Sequence, residues 1–198
     1  MTAHPLRCRC GTLRGSVRPG PLGLRALCYC SDCQAYAHHL CQAREVLDPQ
    51  GGTEVVITLQ DRLGFTEGQR MLACVSLTEA GLLRWYAACC DTPICNTSRD
   101  RRMAYVGVMR GAVDHPPADP VDAFGPLRMR VQTAGAKAPV QGTPLATLAG
   151  VVRIVTALAA SRLGGRWRQT PLFREDGAPI APPQVLNPAE LQRAKAAV

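Results

Sequence analysis

Eight of the ten cysteines in this chain fall into three tight groups, and no other feature narrows the possible fold as much. The groups are Cys8-Arg9-Cys10-Gly11, Cys28-Tyr29-Cys30-Ser31-Asp32-Cys33 and Cys89-Cys90-Asp91-Thr92-Pro93-Ile94-Cys95. Thiols two residues apart on a strand point to the same face, and Gly11 permits a turn that brings backbone close to an ion. Cys28 and Cys30 at a strand end, with Cys33 on a first helical turn, can converge on one point. Met1–Arg14 has no apolar run, so no signal peptide is expected and the expected location is the cytoplasm. Disulfides are disfavoured there, and closely set cysteines read as metal ligands. Zinc suits a thiolate-rich tetrahedral site, and the spacings are not those of ferredoxin clusters.

The 198 residues suffice for one domain with an extension, and 46% hydrophobic with 19% charged residues is a globular composition. Leu6–Val17 reads as a hairpin and Leu24–Tyr29 as a short strand. Ser31 can cap a helix through Cys41. Thr53–Leu59, Met71–Leu77, Leu82–Ala88 and Ala104–Val108 carry β-branched or aromatic residues between turn-rich flanks, so this part is predicted to be mainly antiparallel β. Val113–Pro126 is rich in Pro and Asp and reads as a linker. Pro144–Leu163 is a mostly apolar helix that Gly164-Gly165 stops, and Asn187-Pro188 starts a last short helix. Arg153 and Arg162 lie half a turn out of phase, so they mark no polar stripe, and the helix is expected to be buried on the sheet. The same two arginines argue against a membrane span. The expected organisation is a zinc-binding β domain over 6–112, an irregular linker over 113–143 and a helical extension over 144–198.

The formal charge is +8, and all but Lys137 and Lys195 of the 23 basic residues are arginine. They are dispersed, with one short cluster at Arg99, Arg101 and Arg102. Aromatic residues are only 5% of the chain, so bases would find few rings to stack on, and a nucleic-acid partner is not expected.

The ordered set Cys8-x-Cys10-Gly11, Cys28-x-Cys30-x-x-Cys33 and Cys90-Asp91-Thr92-Pro93 resembles the glutathione-dependent formaldehyde-activating enzyme family, which includes centromere protein V. The resemblance covers residues 6–108 and is that of a divergent bacterial subgroup with a helical C-terminal extension. It implies an Mss4-like β-tent fold and two zinc ions, or one if the third group is broken. Cys8 and Cys10 would join Cys89 and Cys90 in a closed structural site. Cys28, Cys30 and Cys33 would hold a catalytic zinc with one exchangeable position. The departure lies in the third group, where the family has C-x-x-C-G: Ala87 stands at the first cysteine and Asp91 at the glycine. Cys89, Cys95 and Asp91 are rival replacements for the missing ligand.

The activity implied is that of a carbon–sulfur lyase acting on a thiol–aldehyde adduct such as S-(hydroxymethyl)glutathione, with a small thiol such as glutathione and a small aldehyde as partners. Arg101 and Arg102 are candidates to hold the thiol's carboxylates. The alternatives are a structural zinc module for protein interaction or adduct binding, and a thiol-disulfide or metal-storage role. Cys74 and Cys41 read as packing residues. His38 and His39 follow the second group and read as surface residues, with an acid–base role as the rival. Asp32 either orients a substrate or caps the helix, and Trp85 and Tyr86 read as core.

Overall fold

The computed structural model describes residues 3–18, 20, 22–113 and 124–198, and is mainly β with helices added mostly in its C-terminal part. Strand β1 (His4–Arg7) pairs antiparallel with β2 (Arg14–Val17), and β2 pairs with β5 (Leu63–Glu67) to complete a three-stranded sheet. The larger sheet has eight strands in the order β10-β3-β4-β9-β8-β7-β6-β11. Its antiparallel centre comprises β3 (Leu24–Cys28), β4 (Thr53–Leu59), β6 (Leu72–Ser76), β7 (Leu83–Ala87), β8 (Thr92–Thr97) and β9 (Tyr105–Met109). The edges are parallel additions from the C-terminal part: β10 (Leu127–Val131) on β3 and β11 (Pro183–Val185) on β6.

Leu6, Leu13 and Val17 pack with Val56, Leu83, Trp85, Ile94, Val106 and Val108 to form the main core, and Leu172 and Phe173 join it. Trp85 is fully buried, meets the Phe173 ring edge-on at 6.2 Å, and donates from Nε1 to Thr97 Oγ1 at 3.0 Å. A ring of that kind removes roughly 150–250 Å² from water, which at about 25 cal/mol per Å² is roughly 4–6 kcal/mol. The paired indole N–H avoids the cost of burying an unmet donor.

Helix α1 (Ser31–His39) leaves the end of β3, and α2 (Ala43–Val46) is a single turn. The N-cap of α1 is Cys30, whose sulfur accepts the Cys33 N–H at 3.4 Å, where the sequence points to Ser31. The thiol takes the place of a capping hydroxyl because the helix starts inside the cysteine group. Helix α4 (Pro188–Ala196) begins with a capping box between Asn187 and Glu190 and lies on α1, with Ala194 and Leu191 against Tyr36 and Leu40. Lys195 pairs with Asp32 across that contact at 3.4 Å.

Three expectations need correction. Helix α3 (Pro144–Leu163) has the predicted ends but is not a buried helix: only Gly150 and Ser161 are buried. Ile154, Ala157 and Leu158 pack on Met129 of β10 and the β3 side of the sheet, while Leu145, Leu148, Val151, Val152, Val155 and Leu163 are exposed. One sheet edge can cover only one side of a helix. By length and composition α3 is also apolar enough to cross a membrane despite Arg153 and Arg162, so those arginines do not break the pattern. Second, the stretch 113–143 is not irregular throughout, because it contains β10; the proposed linker falls largely on residues 114–123, outside the described residues. Third, residues 144–198 are not helical alone, since they supply β11 to the sheet.

Candidate metal centres

Two thiol clusters form at strand ends. In the first, Cys8 follows β1, and the Gly11 turn, at φ +78°, returns the chain so that Cys10 lies beside it. The Leu13 N–H donates to Cys8 Sγ at 3.3 Å, and the Arg9 N–H donates to Thr92 Oγ1 at 3.0 Å, which ties this loop to the turn between β7 and β8. That turn carries Cys89 and Cys90. The sulfur separations are 3.5 Å for Cys8–Cys10, 3.7 Å for Cys8–Cys89, 3.3 Å for Cys10–Cys89 and 3.9 Å for Cys89–Cys90. Four thiolates about 2.3 Å from one zinc lie about 3.8 Å apart at the corners of a tetrahedron, so the donor set fits that ion.

The rivalry among Cys89, Cys95 and Asp91 therefore has a geometric answer. Cys89 and Cys90 both reach the cluster because Asp91 takes a left-handed backbone, φ 53°, and folds the turn tightly. Cys95 faces the core from β8, opposite Trp85, and burial pushes its thiol well above the ordinary range. Hydrogen bonds with Thr12 and with the Cys89 and Cys8 thiols lower Cys10 to about 6. Desolvation and the neighbouring thiols push Cys89 up to about 12. One thiol thus gives up its proton most easily, and an ion would draw off the rest.

The second cluster joins Cys28 at the end of β3, Cys30 at the helix cap and Cys33 on the first turn of α1, with the three sulfurs within 4.8 Å of one another. Hydrogen bonds from Cys28 and Cys33 hold Cys30 down to about 2, and the same contacts raise Cys28. Among the described residues no fourth Cys, His, Asp or Glu joins this group. Cys28 and Cys30 are half-buried and Cys33 is at the edge of full burial.

The remaining candidates lie elsewhere. His38 and His39 end α1 and face Glu190 and Arg193 of α4, and burial lowers His39. Cys74 is buried on β6 and pushed up to about 12 by desolvation, as packing implies, whereas Cys41 is exposed on a left-handed backbone, φ 55°, against the packing role expected of it. Asp32 is engaged by Lys195 rather than by a cluster. Trp85 is core as expected, and Tyr86 is half-buried. Arg101 donates to the Arg174 carbonyl at 2.7 Å and stacks on Trp167 at 5.1 Å, so it fixes a C-terminal loop. Arg102 is exposed and, among the described residues, forms no hydrogen bond to either cluster. The residue that sequence reasoning missed is Arg84, whose Nη1 lies 3.8 Å from Cys33 Sγ. Its signal was a lone charge inside the apolar run Leu82–Ala88.

A cavity of about 700 Å³ borders the four-cysteine cluster through Cys8 and Thr92. Arg7, Arg9, Glu54 and Arg110 line it, and Glu54 is held by Arg25 at 2.7 Å and by Arg110 at 3.7 Å. Cys28, Cys30 and Cys33 are not among its walls.

A mainly β chain with one four-thiol and one three-thiol cluster belongs to the class of cysteine-rich proteins able to hold metal ions. The chain belongs to the family of unknown function DUF6151, whose profile matches residues 1–183 and so takes in both clusters, β10, α3 and the first residue of β11. No curated protein matches it.

Proposed function

We propose that the protein binds two zinc ions and uses the one at Cys28, Cys30 and Cys33 to bind a small thiol for reaction with a small aldehyde. The observation that carries this reading is the three-thiol cluster with no fourth protein ligand among the described residues. The mainly β, two-sheet architecture with cysteines at strand ends supports the Mss4-like β-tent and the likeness to formaldehyde-activating enzymes and centromere protein V. A reducing, cytoplasmic compartment belongs to the same reading, because free thiols serve as ligands there.

Cys8, Cys10, Cys89 and Cys90 would hold the structural ion and pin the β1–β2 loop to the β7–β8 turn. At the other cluster Cys28, Cys30 and Cys33 would hold the second ion, and zinc there would supply a Lewis-acidic centre that favours the thiolate form of a bound thiol. Cys28 and Cys30 keep that side half-open, while Cys33 anchors it to α1. The net reaction joins the thiol sulfur to the aldehyde carbon, opens the C=O π bond, and delivers the thiol proton to the resulting oxygen. With glutathione and formaldehyde the product is S-(hydroxymethyl)glutathione, and the reverse is a carbon–sulfur lyase step.

The competing reading is a structural zinc module for protein interaction. The position of the 700 Å³ cavity favours it, because the cavity lies against Cys8 rather than the open cluster. Elemental analysis separates the two when combined with a glutathione titration of wild type and Cys30→Ser. Two zincs falling to one, with thiol binding and adduct formation lost, supports the thiol-binding reading. Two zincs without thiol binding in the wild type leaves the structural module.

A further inference from the structure

Arg84 is the second residue of β7, between Leu83 and Trp85, and is only 3% exposed. Guanidinium stays charged at any working pH, and a buried charge is costly unless an opposite charge answers it. Among the described residues no carboxylate forms an ion pair with Arg84. Its contacts are Cys33 Sγ, 3.8 Å from Nη1, and the face of Tyr36, 5.2 Å from Cζ to the ring centre. Tyr36 cannot supply the missing anion: its hydroxyl donates to the Trp85 carbonyl at 3.1 Å, and burial holds its proton in place. A ring face offers a cation some attraction but no charge. The group that Arg84 faces is the cysteine trio, which would carry negative charge once its thiols hold a metal.

We infer that Arg84 is the built-in counter-charge of the Cys28, Cys30 and Cys33 cluster and sets the fourth position of a metal held there to accept an anionic thiolate. This rests on the metal-binding reading of that cluster. Three thiolates and one divalent ion sum to −1, and Arg84 brings the group to zero. An arriving thiolate then leaves the group at −1. Without Arg84 the same event would build −2 in half-buried surroundings, where water screens poorly. The ligand class follows from the charge: a thiolate needs no carboxylate of its own to be favoured, so small neutral thiols should bind as well as peptide thiols. Arg84 acts through Cys33 and is a positioning residue.

The test loads wild type, Arg84→Lys, Arg84→Gln and Arg84→Met with cobalt(II), counts metal per chain, and titrates 2-mercaptoethanol, a thiol without a carboxylate. Thiolate-to-cobalt charge-transfer intensity reports the added sulfur. Two metals are expected in every form. Wild type and Arg84→Lys should take up the thiol over the same concentration range, and the Gln and Met forms should need at least ten times more. Circular dichroism checks the fold, and Arg84→Gln, which keeps a donor towards Cys33, carries the comparison if Arg84→Met does not fold. Uncharged variants that saturate at the wild-type concentration, with two metals bound, overturn the role of Arg84 and leave the metal site standing. A metal count that Cys30→Ser leaves unchanged overturns the metal-site reading of this cluster, and this inference with it.

Discussion

Asp91 shows at the scale of one residue how a departure from a familiar cysteine pattern is absorbed. The pattern this chain resembles places glycine at that position, and the backbone there is left-handed, φ 53°, which is a glycine's conformation. Aspartate is among the few residues that tolerate it, and the cost of a side chain in that region is about 1–2 kcal/mol. The sharp turn that follows lets two adjacent cysteines serve one cluster, which spacing alone made look strained. Asp91→Gly should therefore raise the unfolding free energy by about 1 kcal/mol and leave the metal count at two. Denaturant unfolding with elemental analysis measures both; a loss of stability or of one metal would show that the Asp91 side chain, not the turn, holds the site. Arg84 lay beyond sequence reasoning for a different reason. The apolar run around it signals its burial, but its partner Cys33 lies 51 residues away, and no local pattern reports a contact of that range.

At the scale of elements, the sequence is legible where a segment's own chemistry decides its state. Thr53–Leu59 forms β4 with the expected ends because its β-branched run is flanked by Gly52 and the Gln60–Arg62 turn. Helix α3 starts at Pro144 and stops before Gly164, as proline and glycine at those places require. Strand β10, with sequence LRMRV, was not legible, since its two arginines hide a single buried methionine and its parallel partner lies about 100 residues earlier. The burial of α3 was misjudged because an apolar helix has no polar face to orient it. Its inner side is set instead by Gly150, where an added Cβ would run into the Met129 side chain. Gly150→Leu should cost about 1–3 kcal/mol by overpacking this contact, although leucine is the better helix former. Val152→Gln on the exposed side should change stability by less than about 0.5 kcal/mol. Thermal or urea unfolding of the two variants, side by side, tests which face is packed; equal effects would contradict the placement of α3.

For the whole molecule, the question is whether the cysteine-bearing part stands alone. The resemblance ends near residue 108, and the boundary drawn from sequence at 112 treats the remainder as an addition. The sheet argues otherwise. Residues beyond 112 supply β10 against β3 and β11 against β6, so both edge strands of the eight-stranded sheet come from the C-terminal part. They also supply Leu172 and Phe173 to the core that contains Trp85. Cutting after 112 would expose two strand edges and open the core on the Trp85 side, and unpaired edges invite association with other chains. Removing 187–198 takes away only α4 and its cap, and with them the cover over Tyr36 and Leu40. The fragment 1–112 should be aggregated or lack a cooperative transition even when supplied with zinc, whereas 1–186 should remain soluble and unfold cooperatively with a lowered midpoint. Size-exclusion chromatography and circular dichroism melting read both. A monomeric 1–112 that melts cooperatively would mean that the clusters and the antiparallel centre are a complete unit, with the C-terminal part laid upon it; aggregation of 1–112 beside a folded 1–186 would make the last two strands integral to the domain that carries the clusters.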